Sequence, residues 1–98
     1  MVEVIKSETF LTWIDGLRDV RARVRIHARI DRLALGNSGD VKPIGAGLSE
    51  MRIDYGPGYR VYYMQRGAVL VIVLCGGDKT TQDADIVKAK RIAADWRA

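Results

Sequence analysis

Residues 48–77, LSEMRIDYGPGYRVYYMQRGAVLVIVLCGG, decide the fold. Apolar and polar side chains alternate in LSEMRID, with Met51 and Ile53 on one face and Glu50, Arg52 and Asp54 on the other. Tyr55-Gly-Pro-Gly58 is turn chemistry. YRVYYMQR alternates again, with Val61 and Tyr63 on one side and Arg60, Tyr62, Met64 and Arg66 on the other. Gly67 makes a tight connection to AVLVIVLC, which is apolar on both faces and predicts a central strand covered from both sides. Three strands this close in sequence, joined by short turns, predict an antiparallel meander.

Upstream the period is helical. VEVIK is short and strand-like. Ser7 then offers an N-cap, and Phe10, Trp13, Ile14 and Leu17 recur along one face. Gly16 and Asp19 mark a break. The next helix, DVRARVRIHARIDRLALG, closes at Gly36. Val20, Val24, His27, Ile30 and Ala34 fall toward one side, widened by Ile26 and Leu33. Arg18, Arg21, Arg25, Arg29 and Arg32 fall opposite, as a basic outer stripe. A stripe of this kind either tracks phosphates or, more often, is simply a solvated face. NSGDVKPIGAG carries loop residues. Downstream, Gly76 and Gly77 are expected to let the chain leave the buried strand sharply, with Thr80 or Thr81 capping a last helix along Ile86, Ala89, Ala93 and Trp96. The expectation is a single α+β domain over 1–98, β-α-α-β-β-β-α. About four strands form a small antiparallel-rich sheet, with the helices packed on one face.

Composition narrows the chemistry. Sixteen Lys and Arg against twelve Asp and Glu give a net charge of +4, with arginine in excess over lysine. Arginine's rigid fork matches phosphate, so a nucleic-acid partner gains weight. The one cysteine, Cys75, lies in the apolar run and has no partner for an internal disulfide. No stretch approaches the roughly 18–20 apolar residues of a membrane span, and Met1–Glu8 has no signal-peptide pattern. A cytoplasmic protein without cofactor or membrane partner is expected. One Cys and one His make no zinc set. No serine sits in a nucleophile elbow, and GAG and GPG are too short for a phosphate-binding glycine fingerprint.

The sheet face away from the helices is the place for function. It is expected to carry Glu50, Arg52, Asp54, Arg60, Tyr62 and Arg66. Arg52 and Arg60 are expected opposite each other near the Gly-Pro-Gly turn. Like charges so placed are unfavourable without an anion between them. That anion is either a bound phosphate or the chain's own Glu50 and Asp54. Lys79, just past the last strand, would be a third cation at the rim, with Asp78 beside it.

EMRIDYGPGYRVYY, followed by GGDKTTQDADI before the last helix, resembles the RelE/ParE toxin superfamily, and most the HigB-like addiction module killer proteins. The likeness is strongest over Leu48–Lys90. It implies the toxin of a toxin–antitoxin pair that cuts mRNA in the ribosomal A site. Its partner would be a small helix-turn-helix antitoxin, through which alone operator DNA is met. By residue match it implies Arg52, Arg60 and Lys79 at the scissile phosphate and Tyr62 as a base-stacking residue. Arg66, Asp78 and Trp96 are further contacts. Such cleavage uses the substrate's own 2′-oxygen, so neither a protein nucleophile nor a metal is required. An ordinary lysine is cationic at neutral pH, which favours an electrostatic role for Lys79. Two rivals stand beside this reading. One is a ParE-like toxin acting on DNA gyrase; the other is a non-enzymatic module that binds only antitoxin and nucleic acid.

Overall fold

The computed structural model describes residues 2–96. Nine elements follow in order: β1 (Glu3–Lys6), α1 (Glu8–Asp15), α2 (Val20–Ala34), β2 (Val41–Gly45), β3 (Leu48–Ile53), β4 (Tyr59–Arg66), β5 (Leu70–Asp78), a 3-10 turn (Lys79–Thr81) and α3 (Gln82–Asp95). The strands form one sheet in the order β1-β5-β4-β3-β2. β3, β4 and β5 are the expected antiparallel meander. β1 runs parallel to β5, which makes the sheet mixed.

The sheet has five strands rather than about four. The additional one is β2, in the segment whose Pro and Gly content reads as loop. It pairs antiparallel with β3 from Val41↔Met51 to Gly45↔Leu48, and a register shift accommodates Ile44. A proline is tolerated there because β2 is an edge strand.

The helices cover both faces of the sheet, not one. Phe10 and Ile14 of α1 and Ile26, Ile30 and Leu33 of α2 pack on Met51, Ile53, Val61, Tyr63, Val71 and Val73. On the opposite face, Ile86, Ala89, Ile92 and Ala93 of α3 pack on Leu48, Tyr62, Met64, Ile72, Leu74 and Cys75. The near-continuous apolar run of β5 follows from this double cover.

Ser7 caps α1 by accepting from Phe10 N, and Asp19 caps α2 by accepting from Arg21 N and Ala22 N. The buried face of α2 is Ala22, Ile26, Ile30 and Leu33; Val20 and Val24 are exposed. The helix is thus rotated from the side expected of its valines, because the aliphatic residues that reach the sheet are the isoleucines and Leu33.

β5 carries a bulge. Tyr62 pairs with Cys75 and the next residue, Tyr63, pairs with Val73, so Leu74 is the extra residue. Leu74 and Cys75 therefore both belong to the α3 side, and Gly76 and Gly77 follow inside the strand. These glycines are not a sharp exit. A Cβ on Gly76 would lie 2.3 Å from the Trp13 ring, and one on Gly77 within 1.8 Å of Asp85 Oδ2. They are notches, one on each face, that admit side chains from α1 and α3. Among the described residues no helix is long and apolar enough to cross a membrane.

Candidate functional site

The turn after β3 starts the site. Gly58 has φ +81, a left-handed backbone that favours glycine. Its N–H donates to Tyr55 O at 3.2 Å, which closes the turn. The place a Cβ would take on Gly58 lies 3.5 Å from Arg60 Nη1 and 3.6 Å from Lys79 Cβ. The turn and the start of the 3-10 segment are thereby brought side by side. Between them opens a hollow of about 440 Å³, lined by Asp40, Arg52, Asp54, Gly56, Pro57, Gly58, Arg60 and Lys79.

Arg52 and Arg60 are direct cross-strand partners. The anion between them is internal. Glu50, 1% exposed, accepts from Arg52 Nε at 3.1 Å and stands 3.6 Å from Arg60 Nε through the same oxygen, Oε1. Its other oxygen accepts from Gln82 Nε2 at 2.7 Å, at the first residue of α3. Arg60 Nη1 also donates to Gly58 O and Tyr59 O, each at 3.2 Å. Arg60 is the more enclosed, its side chain 13% exposed against 37% for Arg52.

A second arginine layer supports this wall. Arg29, expected on the solvated stripe, donates from Nη1 to Arg52 O at 2.6 Å and from Nη2 to Ser38 O and Asp40 O. It ties α2 to two residues that line the hollow. Arg25 is engaged as well, 4.6 Å above the Tyr55 ring. Nothing in the sequence pattern marks Arg29, because its acceptors are backbone carbonyls.

The structure brings Arg52, Arg60 and Lys79 to one hollow and sets the other expected site residues elsewhere. Tyr62 lies on the expected face but is 0% exposed, beneath α3. It offers no ring face to a base. Its hydroxyl is buried without a hydrogen-bond partner. Burial first, and then the charges of Glu50 and Asp85, push that phenol well above its usual range. Arg66 is exposed at the far end of β4, opposite Leu70. At about 3.3 Å per residue this is roughly 20 Å from Arg60. Trp96 follows the last turn of α3 and packs on the apolar cluster beneath that helix, its Nε1 buried without an acceptor among the described residues. Asp78 faces its own turn: it accepts from Thr80 N at 2.8 Å and from the Thr80 hydroxyl. Those hydrogen bonds lower its pKa from the usual 3.8.

Asp40 and Asp54 moderate the charge of the hollow. It presents donors to an anion, with carboxylates at its rim for neighbouring hydroxyl or amino groups. Among the described residues no three His, Cys, Asp or Glu side chains gather as a metal site.

Residues 12–96 match the family model described as Phage derived protein Gp49-like (DUF891). An uncharacterized protein of Haemophilus influenzae is 49% identical over 94 residues, covering 96% of this chain and 95% of that one. Among solved structures, an arginine-to-alanine double mutant of the E. coli toxin RelE in its free state superposes with a TM-score of 0.73 at 16% identity, over 93% of this chain and 97% of that one. The mixed sheet and its three helices are thus a RelE-like fold, and the chain belongs to the phage-derived Gp49-like family.

Proposed function

We propose that this protein is the toxin of a toxin–antitoxin pair, of the HigB-like kind, and that it cuts mRNA on the ribosome. The observation that carries the reading is the hollow lined by Arg52, Arg60 and Lys79, three cations from three separate segments around one space of about 440 Å³. The RelE-like fold and the sequence signatures around Arg52, Arg60 and Lys79 support it.

In the proposed reaction a ribose 2′-oxygen attacks the adjacent phosphorus and the 5′-oxygen departs. The products are a 2′,3′-cyclic phosphate and a 5′-hydroxyl. The proton given up by the 2′-hydroxyl is balanced by the one taken by the leaving oxygen. The protein's part is to seat the phosphate and to stabilise the charge that builds on its free oxygens. Arg52 and Arg60 grip those oxygens, and Lys79 adds charge from the start of the 3-10 turn beside Arg60. The partner is a small helix-turn-helix antitoxin, operator DNA is met only through that complex, and the site of action is the cytoplasm.

The test is induction in a host lacking the antitoxin, with cleaved transcripts mapped by primer extension. Growth arrest with cuts inside translated messages is expected. Arrest accompanied by DNA damage and intact messages would transfer the protein to the gyrase-poisoning class. Neither arrest nor cutting would leave a binding module.

A further inference from the structure

We infer that Glu50 is a positioning residue of this site and that, through Gln82, it makes the seating of α3 a condition for the two arginines to point into the hollow. The inference rests on the proposed RNA chemistry only for its consequence in activity. The geometry stands apart from it.

Among the described residues Glu50 is the only acidic side chain that forms ion pairs, and it meets both arginines. It does so at Nε in each case. A guanidinium held at Nε keeps terminal N–H donors for a further acceptor. For Arg52, which lines the hollow, this leaves both terminal nitrogens without a hydrogen-bond partner among the described residues, since its side-chain hydrogen bond is spent at Nε. For Arg60, Nη1 is already held by two backbone carbonyls, so Nη2 is the nitrogen left over. One carboxylate thus separates two opposed cations and aims them. A surface ion pair would not need to be buried to 1% exposure, nor to spend its second oxygen on a helix start. Arg60 Nε, at 3.6 Å, is buried and lacks a hydrogen-bonded partner. Its tie to the protein through this edge is therefore the charge of Glu50, and an uncharged replacement does not restore it.

The experiment compares the parent, Glu50→Gln and Gln82→Ala by the arginine Nε–Hε resonances in NMR, and by RNA cutting. In the parent, Arg52 and Arg60 are expected to give sharp, slowly exchanging Hε signals that move when inorganic phosphate is added. Glu50→Gln is expected to broaden both signals. Cutting should fall on the order of 100-fold, the loss typical of a reacting group displaced by about 1 Å. Gln82→Ala, at a half-buried helix start, is expected to broaden them less and to lower cutting several-fold. A folded Glu50→Gln protein whose Hε signals are as sharp as the parent's overturns the inference. If that variant does not fold, parent-like signals and cutting in Gln82→Ala overturn it. A parent that cuts no RNA sinks the proposed function alone, because the Hε signals and their phosphate response still decide the role of Glu50.

Discussion

Arg52 and Arg60 stand directly across from each other on β3 and β4 and share one buried oxygen of Glu50. Two guanidiniums on adjacent strands repel unless a negative charge lies between them. The carboxylate beneath them answers that repulsion from below. The space above is open to a second anion, and from this the functional predictions follow.

Arg60→Ala removes the more enclosed of the two forks. Growth inhibition is expected to disappear, with RNA cutting down about 10²–10³-fold, the usual effect of losing one transition-state donor. Glu50 keeps Arg52 and Gln82 as partners, so the circular dichroism spectrum and antitoxin binding should match the parent. Full toxicity from the folded variant would remove Arg60 from the site.

Lys79→Ala tests the third cation. Lys79 is exposed at the first position of the 3-10 turn, whose cap is supplied by Asp78 and Thr81. Its loss should leave thermal stability nearly unchanged and reduce primer-extension stops on translated mRNA by about 10²–10³-fold. Undiminished stops would make it an ordinary turn residue.

Tyr62→Phe separates burial from recognition. The hydroxyl is enclosed and unpartnered, a state that typically costs about 1–3 kcal/mol. The variant is expected to be as stable as the parent or more so in urea, and equally toxic. A selective loss of RNA binding would show that the hydroxyl reaches substrate.

Gly77→Ala asks whether the notch opposite α3 is required. The added methyl would meet Asp85, which Thr81 holds by a hydrogen bond. Overpacking of this kind costs about 1–3 kcal/mol, and the melting midpoint should drop by roughly 4–8 °C per kcal/mol in a domain of this size. An unchanged midpoint would mean that α3 shifts freely on the sheet.

Alkaline pH should weaken the fold through Cys75. Burial, with the charge of Asp85 adding to it, raises this thiol from 9.0 to about 12. The unfolded chain ionises first, so the contribution is complete below pH 9.0 and is lost as pH climbs toward about 12. Tyr62 shifts in the same sense. Urea midpoints should therefore fall between pH 8 and pH 10.5, and less steeply in Cys75→Ala. The folded protein should also leave the thiol unreactive toward a disulfide reagent at pH 8.

The sequence made the hairpin readable because β3 and β4 each alternate and are joined by one short turn, and their register, centred on Gly56, sets Arg52 opposite Arg60. Ser7 and Asp19 announce their helices because caps are local chemistry. What escaped was non-local. Period-two alternation gives the correct face for Tyr62 but not what lies on that face, and α3 comes from the other end of the chain. Val41–Gly45 becomes a strand because β3 offers it an unpaired edge, which its Pro and Gly content conceals. Gly76 is small because of Trp13, more than sixty residues away. Arg29 looks like one charge in a stripe until its carbonyl acceptors are brought to it by folding.

The single unpaired residue at Leu74 gives the last strand a parity. Up to Val73 the odd positions look toward α1 and α2; from Gly76 onward the even ones do. Deleting one residue from LVIVLCGG would leave its hydropathy almost untouched, yet it would put each notch against the wrong helix. The run is therefore specified by its length as strictly as by its greasiness, and related chains should tolerate exchanges there far more readily than a one-codon gap.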